Sequence, residues 1–187
     1  MSNNSVPGKN LHYDLIQKCK SHNKAAQFEI YKLYYRVMFS ISLRIINNRT
    51  DAEDIMQDSF LSAFQKIETY KGDVSFGAWL KKIVINKSID ALRSRKKLFE
   101  ELNENEEITE EEGTDFSEEN NVLVEKIKYA ISLLPDGYRI VTSLYLIEGY
   151  DHEEIAQILG ISESSSRSQL VRAKKKLIEL MNKNEQL

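Results

Sequence analysis

Apolar residues recur every three or four positions along most of this chain, the spacing of one face of an α-helix. From Lys24 to Ile46, the series Phe28, Tyr31, Leu33, Tyr34, Val37, Met38, Ile41 and Leu43 predicts one long helix, preceded by a short one near Leu15 to Lys20. The next helix is expected to start at Thr50, an N-cap residue type, with Glu53 three residues on completing a capping box. Its apolar stripe is Ile55, Met56, Phe60, Ala63, Phe64 and Ile67. Tyr70-Lys71-Gly72-Asp73 reads as a turn, and a further helix runs from about Ser75 to Lys97.

The periodicity then stops. EELNENEEITEEEGTDFSEE, residues 100–119, holds 11 acidic residues, no basic ones, and only Leu102, Ile108 and Phe116 as large apolar side chains. Such a run repels itself and cannot bury a face, so a flexible linker is expected. Four more helices follow. The first covers about Asn120 to Leu133, and the second opens with Pro135 at a first-turn position and reaches about Ile147. The third is capped by Asp151 with Glu154 and stops at Gly160; the fourth is capped by Ser162 and reaches about Met181.

Composition supports an all-α chain. Seven glycines and two prolines in 187 residues are few for strands joined by tight turns, while 41% hydrophobic residues suffice for buried cores. Cys19 is the sole cysteine, so no disulfide or cysteine-rich zinc site can form within one chain, which fits a reducing cytoplasm. The first fifteen residues lack a basic segment followed by an apolar run. No stretch approaches the roughly 18 apolar residues of a membrane span. A cytoplasmic protein without membrane insertion is expected.

The negative charge is concentrated in the bridge. The formal net charge is −3, the wrong sign for a phosphate-binding protein, but the 11 acids of the bridge account for it. Without them 18 acids face 26 bases, leaving the flanking parts with about +8. The bridge itself is either a solvated spacer or a competitor of DNA phosphates for the basic surfaces.

Within residues 151–176, two helices joined by a turn of about three residues around Gly160 make a helix-turn-helix pattern. Ala156 sits where a side chain larger than methyl would obstruct the crossing, and Ile155, Leu159, Ile161 and Leu170 hold the pair together. Read functionally, the second helix enters the major groove, with Arg167, Ser168 and Arg172 as base or phosphate contacts. Lys174, Lys175 and Lys176 then meet backbone phosphates; otherwise they form a solvated basic face.

From Tyr70 to Lys97, Tyr70, Phe76 and Trp79 interleave with Lys71, Lys81, Lys82, Lys87, Arg93, Arg95, Lys96 and Lys97. Aromatic faces stack on unpaired bases while cations follow the backbone, the chemistry of single-strand binding. The ordinary alternative places Phe76, Trp79, Leu80 and Ile83 in a core.

The segments DAEDIMQDSFLSAF, YKGDVSFGAWLKKIVINKSIDALR and LLPDGYRIVTSLYLIEGYDHEEIAQILGISESSSRSQLVRAKKKL, with the acidic gap before the last, resemble an RNA polymerase sigma factor of the extracytoplasmic-function group, in the sigma-70 family. The resemblance implies two small helical domains: an N-terminal segment (1–20), a sigma-2 domain (21–97), the acidic linker (98–120) and a sigma-4 helix-turn-helix domain (121–187). It implies a protein that binds core RNA polymerase through the β′ clamp coiled coil and the β subunit and directs initiation at promoters. Promoter DNA, double-stranded and melted, is the other partner. An anti-sigma protein commonly restrains members of this group.

By the same resemblance, Asp51, Asp54, Gln57, Asp58 and Phe60 lie on the helix that docks on the clamp. The carboxylates at 51, 54 and 58 share a helix face, which otherwise is a solvated face; a metal cluster is disfavoured because no His or Cys joins it. Lys71, Gly72, Asp73, Ser75 and Phe76 surround a base flipped from the −10 strand, with Trp79, Lys82, Asn86 and Arg93 along the melted DNA. Ser164, Ser165, Arg167, Ser168, Gln169, Arg172 and Lys174 face the −35 element. Ser166 and Gln169 depart from the family's usual apolar β-branched residue and arginine. Ser166 is therefore expected to loosen the packing of that helix, and Gln169 to alter base preference.

Three other readings compete with this one. A LuxR-type regulator shares the helix-turn-helix but needs a sensory or receiver domain in the first half, and a receiver requires strands. An enzyme reading fails at His152-Glu153-Glu154, because Ala156 stands where a zinc-protease helix needs its second histidine. A helical adaptor binding only protein would use its basic faces for solubility. No catalytic residue, metal or cofactor is expected.

Overall fold

The computed structural model describes residues 12–102 and 122–184, and every described regular element is helical. The acidic bridge between residues 103 and 121 lies outside the described residues. In chain order the elements are α1 (Tyr13–Lys20), α2 (Lys24–Ile46), α3 (Arg49–Gln65), a 3₁₀ turn (Ile67–Thr69), α4 (Phe76–Leu102), α5 (Val122–Ser132), α6 (Asp136–Thr142), α7 (His152–Leu159) and α8 (Glu163–Asn184). A wide helical turn, Ser143–Ile147, extends α6. The described residues form two compact units, one built from α1 to α4 and the other carrying α5 to α8.

In the first unit α2 is the central element. Ala26, Ile30, Met38, Ile41 and Ile45 are buried at helical spacing and pack with Met56, Phe60, Leu80, Val84 and Ile85 in the core. α2 is apolar around a wide arc, so the periodic series that marks it as a helix mixes two sides: Phe28, Leu33 and Val37 are exposed at 58%, 49% and 57%. A pair of buried serines links α2 and α4: Ser88 Oγ donates to Val84 O at 2.8 Å and lies 3.2 Å from Ser42 Oγ, both residues fully buried. Small hydrogen-bonded hydroxyls let two backbones come close without leaving a buried polar group unpaired.

Two boundaries differ from the sequence expectation. α3 begins at Arg49, so Thr50 lies inside the first turn, and Asn48, a better capping residue type than threonine, precedes the helix. α4 continues five residues past Lys97 to Leu102, because KLFEEL is made largely of good helix formers and charge alone does not stop a helix.

The second unit packs Ala130, Ile131, Leu134, Ile140, Val141, Leu144, Ile155, Leu170 and Ala173 into its core. Pro135 is the N-cap of α6 rather than a first-turn residue, with extended ψ of 147°. The corner is fastened by Arg139, 3% exposed, whose guanidinium donates to Leu134 O at 3.2 Å and pairs with Asp136 at 2.7 Å. A buried guanidinium needs such partners, since desolvating it unpaired is costly. After α6 the chain widens, Glu148 N donating to Ser143 O and Tyr150 N to Leu144 O, both at 3.0 Å, and Gly149 turns it with φ 79°. Among the described residues no helix is long and apolar enough to cross a membrane.

Candidate nucleic-acid and polymerase interfaces

On α3, Ala52, Met56, Ser59, Phe60 and Ala63 face inward, which turns Asp54, Gln57 and Asp58 out to solvent. Their spacing continues at Leu61, 61% exposed, so the outer face is two carboxylates and an amide next to one uncovered leucine. Sequence reasoning missed Leu61 because it sits off the apolar stripe. One expected member of this face is elsewhere, and another, Asp51, stays partly exposed on it while pairing with α4. Phe60 is 2% exposed and packs edge-on against Tyr31, ring centres 4.9 Å apart, so it is a core residue. Asp51 faces Arg95 of α4 at 3.5 Å.

The segment after α3 divides into a buried base and an exposed rim. Tyr70 and Phe76, 7% and 2% exposed, meet at right angles with centres 5.4 Å apart, and the half-buried Trp79 lies 5.5 Å from each. Tyr34 of α2 closes this cluster 5.5 Å from Phe76. Phe76 therefore supports the loop from beneath and is not an open stacking surface, which corrects its expected contact with the base. Above it, Lys71, Asp73, Val74 and Ser75 are exposed. Gly72 adopts φ 83°, a left-handed conformation that lets the loop reverse. Ser75 caps α4, its Oγ accepting from Ala78 N at 3.2 Å. Lys82, Asn86 and Arg93 are all exposed, and Arg93 lies 3.4 Å from Asp90. At steps of four and seven residues these three share one face leading away from the loop.

The helix-turn-helix carries the local chemistry its sequence requires. Asp151 Oδ1 accepts from Glu154 N at 2.8 Å while Glu154 Oε2 accepts from Asp151 N at 3.0 Å, a complete capping box. Gly160 is left-handed at φ 67°, and Ile161 N donates to Ala156 O at 3.1 Å to close α7. Ser162 caps α8, accepting from Ser165 N at 3.1 Å. Ser164, Arg167, Ser168, Arg172 and Lys174 are exposed on α8, Arg167 paired with Glu163. Among them stands Val171, 56% exposed, a residue whose apolar character hid it from a search for polar contacts.

The two unusual positions behave differently from expectation. Ser166 is fully buried at the helix crossing, and its Oγ lies 2.9 Å from His152 Nδ1, so a specific polar contact replaces the loose packing expected. The His152 ring also stacks on Tyr145, centres 4.6 Å apart and planes 21° from parallel. Gln169 turns toward α6: its Oε1 is buried without a hydrogen-bond partner, and a Cβ added at Gly137 would sit 3.0 Å from it. That orientation removes Gln169 from the outward row. Among the described residues no group of three or more His, Cys, Asp or Glu side chains could hold a metal ion.

A capped helix-turn-helix in one helical unit, with an aromatic-backed loop and basic helix in the other, has the features of a helical DNA-binding protein. Residues 30–98 match the family model for sigma-70 region 2, and residues 125–177 match that for sigma-70 region 4. The chain is 29% identical over 161 residues to the ECF RNA polymerase sigma factor SigM of Bacillus subtilis (strain 168), covering 83% of this chain and 94% of that one. It is 25% identical over 174 residues to the ECF RNA polymerase sigma-E factor of Haemophilus influenzae (strain ATCC 51907 / DSM 11121 / KW20 / Rd), covering 86% and 89%. In fold it resembles the sigma factor RpoE in complex with the anti-sigma factor NepR from Bartonella quintana, with a TM-score of 0.62, 21% identity and coverage of 82% and 95%. The chain belongs to the sigma-70 family of RNA polymerase sigma factors, in its extracytoplasmic-function group, and directs promoter-specific transcription initiation. Residues 30–98, which a LuxR-type regulator would devote to sensing, are thereby accounted for, and that alternative falls.

Proposed function

We propose a division of the work among three surfaces. Residues 21–97 act as the sigma-2 domain, residues 121–187 as the sigma-4 domain, and residues 98–120 tether them. Asp54, Gln57, Asp58 and the exposed Leu61 dock on the β′ clamp coiled coil, the polar groups fixing register and the leucine giving an apolar contact. Asp51 supports this face through Arg95, and Phe60 supports it from the core.

Lys71, Gly72, Asp73 and Ser75 receive a base flipped from the −10 strand, and Trp79, Lys82, Asn86 and Arg93 follow the melted strand. Opening a duplex costs on the order of 1.4 kcal/mol of stacking per base-pair step, and holding one extruded base recovers part of it. Ser164, Ser165, Arg167, Ser168, Arg172 and Lys174 face the −35 element in the major groove. Val171 lies among them and suits a thymine methyl group. Gln169 packs against α6 instead. The observation that carries this reading is the division of the Tyr70–Trp79 segment into a buried aromatic base and an exposed polar rim: duplex readout needs no such device.

The chain acts in the cytoplasm by binding and positioning, with no catalytic centre of its own. RpoE's complex with NepR supports an anti-sigma partner here as well. Run-off transcription with purified core polymerase tests the function: transcripts starting at defined promoters are expected only when the chain is added. No core binding and no transcript from promoters of this group would contradict it.

A further inference from the structure

The loop that follows the 3₁₀ turn is tied down by two side chains that no base contact requires. Lys20, at the end of α1, donates its ammonium to the Tyr70 carbonyl at 3.1 Å, reaching across 50 residues of sequence. The Tyr70 hydroxyl donates to the Val74 carbonyl at 2.8 Å and so spans Lys71, Gly72 and Asp73 from below. The loop's start is held again by Tyr70 N donating to Ile67 O at 3.1 Å, and its end by the Ser75 cap of α4. Burial, aided by the nearby Asp73 carboxylate, pushes the Tyr70 hydroxyl up, so it keeps its proton and remains a donor. α1 precedes residue 30, where the match to sigma-70 region 2 begins, so that match gives Lys20 no role.

We propose that Tyr70 and Lys20 are positioning residues that hold the Lys71–Ser75 loop in its base-receiving shape before DNA arrives, and thereby set how strongly the flipped base is distinguished. The proposal rests on the base-pocket reading above. Its physical content is preorganisation: a short loop with a left-handed glycine has many shapes to lose on binding, and two hydrogen bonds to its carbonyls remove most of them beforehand. Neither group touches the base; each acts through the loop backbone. The aromatic cluster beneath does not need the hydroxyl, because Tyr70 meets Phe76 and Trp79 through its ring.

Tyr70→Phe therefore removes one hydrogen bond and keeps the packing, and Lys20→Met removes the other while keeping an unbranched chain. Holoenzyme reconstituted from the full chain and core polymerase is titrated with a fluorescent single strand carrying the −10 sequence of its strongest run-off promoter, intact or made abasic at each position in turn. For the wild type one position stands out, and the ratio of intact to abasic affinity there is the readout. Each variant should lower that ratio roughly three- to tenfold, chiefly by weakening the intact strand, while core affinity is retained. Wild-type ratios in both variants overturn the proposal, as does an equal loss on intact and abasic strands, which signals a generally loosened domain. If no abasic position stands out for the wild type, the pocket reading itself fails, a result distinct from the latch failing alone.

Discussion

Ser166 Oγ and His152 Nδ1 meet at 2.9 Å where the two helices of the helix-turn-helix cross, with Tyr145 stacked on the imidazole. Ser166 is fully buried, so removing one partner orphans the other in a place water does not reach easily. Ser166→Val and His152→Phe should each cost about 1–3 kcal/mol of unfolding free energy, and the double variant clearly less than their sum. Denaturant unfolding of the four proteins checks this. Losses that add within about 0.5 kcal/mol would show the contact to be incidental.

On α3, exposure separates the proposed docking residues from core residues. Asp54→Lys and Leu61→Ala should weaken binding to core polymerase about tenfold or less while leaving the thermal midpoint nearly unchanged, as expected for rim and single-anchor contacts. Phe60→Ala should do the reverse, costing about 3–5 kcal/mol of stability through the cavity left beside Tyr31. Fluorescence titration of core polymerase and denaturant unfolding, run on all three, distinguish the two roles. A Phe60→Ala protein of normal stability that fails to bind core would restore Phe60 to the docking face.

In α8 the structure turns Gln169 inward and leaves Val171 exposed beside the proposed DNA contacts. Arg172→Ala should cost about 1–3 kcal/mol of −35 discrimination, and Val171→Ala less, mainly at a thymine-bearing position. Gln169→Ala should leave base preference unchanged, because its amide packs beside Gly137. Selection of −35 sequences from a randomised promoter pool compares the three. A preference altered by Gln169→Ala would mean that its side chain turns outward on DNA.

Tyrosines with raised hydroxyls, Tyr31 among them, predict the alkaline limb of stability. Burial, the largest cause, raises the hydroxyls of Tyr34, Tyr70 and Tyr150, helped respectively by Tyr70, by Asp73, and by Glu148 with Glu154. Above the ordinary tyrosine value of about 10, the unfolded chain releases protons that the folded chain keeps. Their contribution is therefore level below that pH and destabilising above it. Denaturant midpoints between about pH 8 and pH 11 should fall at the alkaline end, less steeply in Tyr70→Phe. A midpoint that rises there contradicts the assignment.

What the sequence made legible was chemistry local to a few residues. Asp151 with Glu154, Gly160 and Ser162 specify their own caps and turn, and all three formed where the pattern put them. Which side of an apolar helix meets the core is a tertiary matter. Hence Phe28, Leu33 and Val37 came out exposed, and Phe60 and Phe76 were drawn into aromatic clusters, away from the contacts expected of them. Ser166 and Gln169 were visible as departures, but their partners His152 and Gly137, 14 and 32 residues away in sequence, appear only once α8 is packed.

In the proposed division, α8 anchors the promoter while the Tyr70–Arg93 segment opens it. Permanganate reactivity of unpaired thymines in holoenzyme–promoter complexes tests this most directly, comparing Arg172→Ala with Lys82→Ala/Asn86→Ala on a duplex promoter and on one already melted across its −10 element. Arg172→Ala should lose opening on the duplex by losing occupancy, as read by a parallel binding assay. Lys82→Ala/Asn86→Ala should bind the duplex yet open it poorly, and pre-melting should largely restore its initiation. Opening and occupancy that fall together, to the same extent, in both variants would contradict the division of labour.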